Sequence, residues 1–156
     1  MLLKSSADFA LDDPYLEREL QRVRQNVFKA PKHKKGFDSR DALAQWWLIQ
    51  LKKQQGCCNY CQTPIRMIEK LIDQGVLQGR RTKGEGKRGP FLELERVDHK
   101  TGEYSPDNCV LICYYCNNDK SSVYPKDEYV EYLAPAKHRH FLVLMKKLEQ
   151  LGKKAA

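Results

Sequence analysis

The sequence predicts an α+β domain that is mostly helical. Several stretches place apolar residues three and four positions apart, one short stretch alternates apolar and polar residues, and two C-x-x-C motifs lie on either side of that alternating stretch. At 156 residues the chain is long enough for one domain with a hydrophobic core. We therefore expect helices at both ends and a small centre that contains strands and is held together by cysteines.

Two helices are predicted before the first cysteine. Residues 14–28 carry apolar side chains at helical spacing, with Asp13 as the N-cap and Pro14 in the first turn. Residues 38–54 form the second helix, capped by Asp38 or Ser39. The Trp pair in this second helix is expected to pack in the core rather than to stack on bases.

Helical patterns also follow each cysteine pair. The Thr-Pro step at 63–64 starts a helix over 64–74, which Gly75 ends. The tail contains helical stretches near 126–133 and 136–151, and we interpret the apolar face of the second as core or as a dimer contact. Two histidines, His138 and His140, lie just before the first residue of that apolar face, and isolated histidines in such positions are more often surface residues than metal ligands.

The central segment predicts two strands separated by turn residues. Residues 91–98 alternate apolar and polar side chains, and 109–112 form a short apolar run. The stretch 100–108 is rich in turn-forming residues, and 113–116 is expected to be a tight turn before a short helix. Ahead of the strands, the Gly-rich loop 79–90 is interpreted either as a mobile loop that contacts a phosphate backbone or as a solvated hairpin tip. Its basic residues are Arg80, Arg81, Lys83, Lys87 and Arg88.

Four of the six cysteines have the spacing of a structural zinc site. A two-residue gap lets both thiolates of one turn reach a single cation, and two such turns complete a tetrahedral shell. The four predicted ligands are Cys58, Cys61, Cys113 and Cys116. Cys57 and Cys109 are then spare, although Cys57 can replace Cys58 with a poorer spacing. Because four thiolates leave no position for water, this zinc is expected to hold the fold rather than to catalyse.

Side chains suited to phosphodiester hydrolysis lie between and just after the cysteine pairs. His99 is a base that works near neutral pH, and Asp98 and the amide oxygen of Asn117 are hard donors suited to Mg²⁺. Hydrolysis of a phosphodiester needs a base for water, a cation near the phosphate and a group that orients the base.

With these residues in place, the stretch over 58–122 resembles the HNH (ββα-metal) nuclease family in its zinc-knuckle form. The resemblance rests on CNYC, LERVDH and YSPDNCVLICYYCNNDKS. It implies a ββα-metal finger stapled by the four-cysteine zinc site, with flanking N- and C-terminal helices. It also implies a DNA endonuclease that uses Mg²⁺ or Mn²⁺.

The family's roles are transferred position by position. By resemblance, Asp98 is the metal-binding acid, His99 the general base, and Asn108 the residue that braces the loop and orients the histidine. Asn117 matches the second metal ligand, and Lys120 a basic residue that contacts phosphate. The loop between His99 and Asn108 is shorter than usual in the family, so Glu95 remains a candidate metal ligand in place of, or beside, Asp98, and Asn118 an alternative to Asn117.

Charge and hydropathy limit the class of partner and the compartment. The formal net charge is +8, which favours encounter with polyanions such as duplex DNA without identifying one. No apolar run reaches the roughly 20 residues of a membrane span, and the first residues lack the apolar core of a signal peptide. A cytoplasmic protein with reduced thiols is therefore expected, and a homodimer would explain double-strand cleavage.

The sequence also predicts a division into three regions. These are an N-terminal helical region at 1–55 for DNA binding or oligomerisation, a zinc-knuckle nuclease core at 56–124, and C-terminal helices at 125–156 that pack on the core. A second hypothesis is a non-catalytic zinc module that binds nucleic acid or a protein partner. It needs the four cysteines and the basic loops but not His99 or Asn117.

Overall fold

The computed structural model describes residues 6–29, 36–82, 86–100 and 102–155. It is an α+β structure dominated by helices, which confirms the predicted class. The described residues divide into two compact units, one formed by 6–9, 57–82, 86–93 and 112–155 and the other by 10–29, 36–56, 94–100 and 102–111. We call them the cysteine unit and the N-terminal unit. The proposed division into three consecutive regions stays a prediction.

The N-terminal unit is built on two helices. Helix α1 spans Asp13–Arg22 and continues as a π-helical turn over Val23–Val27, and helix α2 spans Arg40–Lys53. The N-cap of α1 is Asp12, whose side chain accepts a hydrogen bond from the Tyr15 amide at 2.8 Å, so the prediction of Asp13 was wrong by one residue. For α2, the structure selects Ser39, which accepts from the Ala42 amide at 3.0 Å.

The core of the N-terminal unit includes a buried ion pair beside an aromatic ring. Trp47 is fully buried, while Trp46 is half-buried and meets Phe37 edge to face. Glu19 is also fully buried, and its carboxylate accepts two hydrogen bonds from the Arg22 guanidinium. Because that guanidinium also lies over the Trp47 ring, the buried carboxylate has a partner that the core itself holds in place.

The cysteine unit contains helix α3 over Ile65–Asp73 and a small antiparallel hairpin. The hairpin pairs strand β1, Arg80–Thr82, with strand β2, Gly86–Arg88. Gly75 lies just after α3 at φ +68°, a left-handed conformation that favours glycine and ends the helix as predicted. The five apolar residues of α3 that are buried against the core are Ile65, Met67, Ile68, Leu71 and Ile72.

Strands β3, Leu92–Arg96, and β4, Cys109–Cys113, form a second two-stranded sheet. The Val97 amide donates to the Asn108 carbonyl at 2.8 Å, so the end of β3 is held beside the start of β4. Helix α4, Tyr114–Lys120, follows β4 without a loop. The predicted tight turn at 113–116 was therefore wrong, because the Cys113 side chain caps a helix that begins three residues earlier than expected.

The tail is one long helical run. A short helix α5, Lys126–Glu128, passes through a π-helical turn at Tyr129–Leu133 into helix α6, Ala134–Ala155. Pro135 has no backbone N–H to donate to the carbonyl four residues earlier, and the widened turn lies directly before it. Within the described residues, no helix combines the length and the apolar character that a membrane crossing requires.

Candidate metal centre and the residues around it

The four predicted cysteines converge on one point in the cysteine unit. Their sulfur atoms all lie within 4.8 Å of one another, and all four residues are buried. They are Cys58, Cys61, Cys113 and Cys116. The prediction that these four thiols lie together is confirmed, and among the described residues Cys57 and Cys109 are not members of the group. Four thiolates in a tetrahedral group are the ligand set of structural zinc.

Each cysteine pair is shaped by its own backbone. In the first, the Gln62 amide donates to the Cys58 carbonyl and the Cys58 amide to the Thr63 carbonyl, both at 2.9 Å. Gln62 adopts φ +60°, so the chain turns in a left-handed conformation immediately after the second cysteine. This turn brings both sulfur atoms of the pair to the same side.

The second pair uses the start of helix α4. Cys113 is the N-cap of that helix, and its sulfur accepts from the Cys116 amide at 3.4 Å. The Cys113 amide donates to the sulfur of Cys58 at 3.2 Å, which joins the two pairs. Backbone N–H groups directed at sulfur favour its thiolate form. The helix N-terminus therefore contributes to the electrostatics of the metal group.

The four thiols lie too close together for all of them to ionise without a cation. Burial raises the pKa of Cys113 well above its usual value, and neighbouring thiols raise it further. The pKa of Cys61 is lowered instead, because the thiols of Cys113 and Cys116 donate hydrogen bonds to its sulfur. Without a cation, the surroundings thus favour the protonated form of Cys113 and the thiolate form of Cys61. A bound Zn²⁺ would favour the loss of the remaining protons.

Cys61 is supported by the Thr63 hydroxyl, which in turn contacts His138. The fully buried Thr63 has its hydroxyl oxygen 3.2 Å from the Cys61 sulfur and 2.8 Å from His138 Nδ1. When Cys61 is a thiolate, the hydroxyl must donate its single proton to sulfur and accept from His138 Nδ1–H. The sequence marked Thr63 only as part of a helix start and His138 as a surface residue. The relevant signal was the position of the threonine, two residues after a ligand.

The spare cysteine Cys109 lies in a different environment. It is buried at the start of β4, and burial raises the pKa of its thiol to about 11, against a smaller opposing effect from the Ser105 backbone. Its sulfur is therefore protonated at neutral pH and behaves as an apolar side chain.

In the N-terminal unit, Asn108 closes the loop that follows β3. Its side-chain oxygen accepts from the Asp98 amide at 2.9 Å, and its nitrogen donates to the carbonyls of Asp98 at 2.9 Å and Glu103 at 3.1 Å. The Asp98 carboxylate accepts from the Lys100 amide at 2.9 Å and is solvent exposed. His99 lies half-buried in the turn between them. One amide therefore ties both ends of the loop that carries the predicted acid and base.

In the cysteine unit, Asn117 has a partner that the sequence did not suggest. Its amide nitrogen donates to the Glu93 carboxylate at 2.6 Å. Arg88 donates two hydrogen bonds to the same carboxylate and lies over the Tyr114 ring at 4.7 Å. Because a carboxylate only accepts, the nitrogen of the Asn117 amide must face Glu93 and its oxygen must point elsewhere. The contact fixes which end of the amide is available as a metal ligand.

The six residues predicted to contact phosphate differ in how far their side chains are exposed. Arg80 and Lys87 are exposed on the β1–β2 hairpin, while Arg88 is half-buried and engaged by Glu93. Lys120 is only 1% exposed, and its ammonium donates to the Ser121 carbonyl at 3.4 Å, so its position does not suit a phosphate contact. The side chain of Arg81 and the whole of Lys83 lie outside the described residues.

No protein-family model, curated protein or solved structure matches this chain. The structure shows four buried thiols close enough together to hold one metal ion and, elsewhere, two asparagines whose amides are each oriented by hydrogen bonds.

Proposed function

We propose that this chain is a metal-dependent HNH-type endonuclease that hydrolyses DNA phosphodiester bonds. In this proposal the four cysteines hold a structural Zn²⁺, Asp98 and Asn117 bind Mg²⁺ or Mn²⁺, and His99 is the general base. The observation that carries the proposal is the loop closed by Asn108 between β3 and β4, with the cysteine-capped helix α4 following directly. That succession of strand, braced loop, strand and helix is the one the family resemblance implies.

The chemistry assigns a distinct task to each side chain. His99 accepts a proton from the attacking water, which a neutral imidazole does well near pH 7. Asn108 holds the backbone on both sides of His99, and this limits the directions in which the ring can point. The Asp98 carboxylate and the Asn117 oxygen present the hard donors that Mg²⁺ prefers. The cation, when bound, neutralises charge on the phosphate and the leaving oxygen.

Glu93 supports this assignment as a positioning residue. Its contact with the Asn117 nitrogen leaves the amide oxygen for the metal, and its pairing with Arg88 lowers the cost of keeping a carboxylate half-buried. Glu95, on the same strand, remains the alternative acid to Asp98. Whether Asp98 or Glu95 binds the metal does not affect the assignment of His99 as the base.

The deciding experiment is cleavage of supercoiled plasmid by purified, zinc-loaded protein, with Mg²⁺, with Mn²⁺ and without either cation. The variant His99→Ala should lower the cleavage rate by roughly 10²- to 10⁴-fold, the usual contribution of a general base. His140→Ala, which removes an exposed imidazole on α6, is the matched control and should cut normally.

Two results would count against the proposal. Full activity in His99→Ala would exclude this base. Absence of cleavage by folded wild-type protein would favour the non-catalytic zinc module, which the buried cysteine group fits equally well.

A further inference from the structure

Helix α6 has two chemically different faces. Its inner face packs on helices α3 and α4 through buried apolar side chains that include Phe141 and Met145. This part of the apolar pattern is core, as one of the two sequence interpretations proposed. The opposite face is open to solvent over most of the helix length.

The outer face carries a row of cations. Arg139, Lys146 and Lys153 are exposed and lie seven residues apart, which is close to two helical turns, and Lys147 is exposed beside them. At 1.5 Å per residue the row extends about 21 Å along the helix. The 22 residues of α6 contain six Lys or Arg and a single acid, Glu149. A large share of the chain's net positive charge therefore lies on helix α6.

Stabilisation of the helix C-terminus and ion pairing within the protein account for few of these positive charges. Cations stabilise a helix C-terminus only within the last turn, which includes Lys153 but not Lys146 or Lys147. Lys137, elsewhere on α6, pairs with Asp119 at 3.3 Å. By contrast, within the described part of the chain none of the four cations in the row forms an ion pair.

We propose that this row, Arg139, Lys146, Lys147 and Lys153, binds the phosphate backbone of duplex DNA. A row of exposed cations on a straight support suits sequence-independent contacts to phosphates. The row would also supply phosphate contacts for which the half-buried Arg88 and the buried Lys120 are poorly placed. It rests on DNA as the proposed substrate but not on the chemistry of His99.

The test is the salt dependence of binding to a labelled 30-base-pair duplex in buffer without divalent cations. Four simultaneous changes, Arg139→Gln, Lys146→Gln, Lys147→Gln and Lys153→Gln, should weaken binding at least tenfold at low salt. They should also reduce the slope of log affinity against log salt by about 3 to 4, since each phosphate contact contributes about 0.9. The control neutralises four exposed cations elsewhere, Arg40, Lys52, Lys53 and Lys70.

The slope change should appear in the α6 variant and not in the control, with zinc content and circular dichroism equal in both. Equal slopes in the two variants would overturn the inference, because net charge alone would then explain binding. So would an effect seen with single-stranded RNA but absent with duplex DNA, or no binding by the wild type. A wild type that binds through α6 but does not cut would contradict the nuclease proposal and leave this one intact.

Discussion

Thr63 shows how one buried hydroxyl can serve both a metal ligand and a distant helix. It contacts the Cys61 sulfur and is hydrogen bonded to His138 on α6. Groups behind metal ligands orient them and set their basicity. The histidine at that position is therefore part of the support of the metal centre rather than a surface residue.

Replacing Thr63 with Val should weaken zinc binding by about 10- to 100-fold, the usual effect of losing such a partner. Valine keeps the shape but leaves the Cys61 sulfur and His138 without the shared hydroxyl. Competition with a chromophoric chelator would measure the affinity. Thr63→Ser is the matched control, since it retains the hydroxyl and should bind zinc like the wild type. If Thr63→Val bound zinc equally well, the contact would have no energetic role.

The loop between β3 and β4 leaves no room for a side chain at Gly102. Gly102 lies so close to its surroundings that a Cβ there would be 1.9 Å from Asn108 Nδ2 and 2.1 Å from the Asp98 carbonyl oxygen. The glycine is therefore needed for close approach rather than for an unusual φ angle. Any larger residue has to displace the hydrogen bonds that hold Asp98 and the turn containing His99.

The substitution Gly102→Ala should lower the free energy of unfolding by about 1–3 kcal/mol, the usual cost of overpacking, and should reduce any cleavage activity. Zinc content should not change, because none of the cysteine ligands belongs to this loop. Gly152→Ala on α6 is the control, since nothing lies within 4 Å of the added methyl group. That control should be neutral or stabilising by up to about 1 kcal/mol. Equal stability of the two variants would show that the loop backbone can shift to accommodate the added methyl group without loss of stability.

Local patterns predicted the elements better than they predicted their contacts. Helical spacing placed α1, α2 and α3, and the C-x-x-C spacing identified the four converging cysteines. The Glu93–Asn117 contact depends on how a strand lies against a helix, and the burial of Lys120 depends on tertiary packing. Neither is encoded in a spacing rule. The row of cations on α6 was not predicted, because the apolar periodicity of a helix indicates only the face that is buried.

At the scale of the whole molecule, the proposed function uses two metals of opposite chemistry. The thiol group lies wholly within the cysteine unit, while Asp98 and His99 belong to the N-terminal unit. Four buried thiolates bind Zn²⁺ tightly, whereas one carboxylate and one amide hold Mg²⁺ weakly. Structural stability and catalysis should therefore respond to different metals.

Withdrawing each metal in turn should separate the two roles. Omitting Mg²⁺ and Mn²⁺ should stop cleavage without changing the helical circular dichroism signal. A zinc-selective chelator in Mg²⁺-containing buffer should unfold the cysteine unit, because zinc binding contributes on the order of 10 kcal/mol to folding, comparable to the stability of a whole domain. Cys113→Ser should behave like the chelated protein, while Cys57→Ser, which removes a thiol outside the group, should keep one zinc per chain. An unchanged melting temperature after complete zinc loss would mean that packing alone holds this unit and that the four-thiol group has some task other than stability.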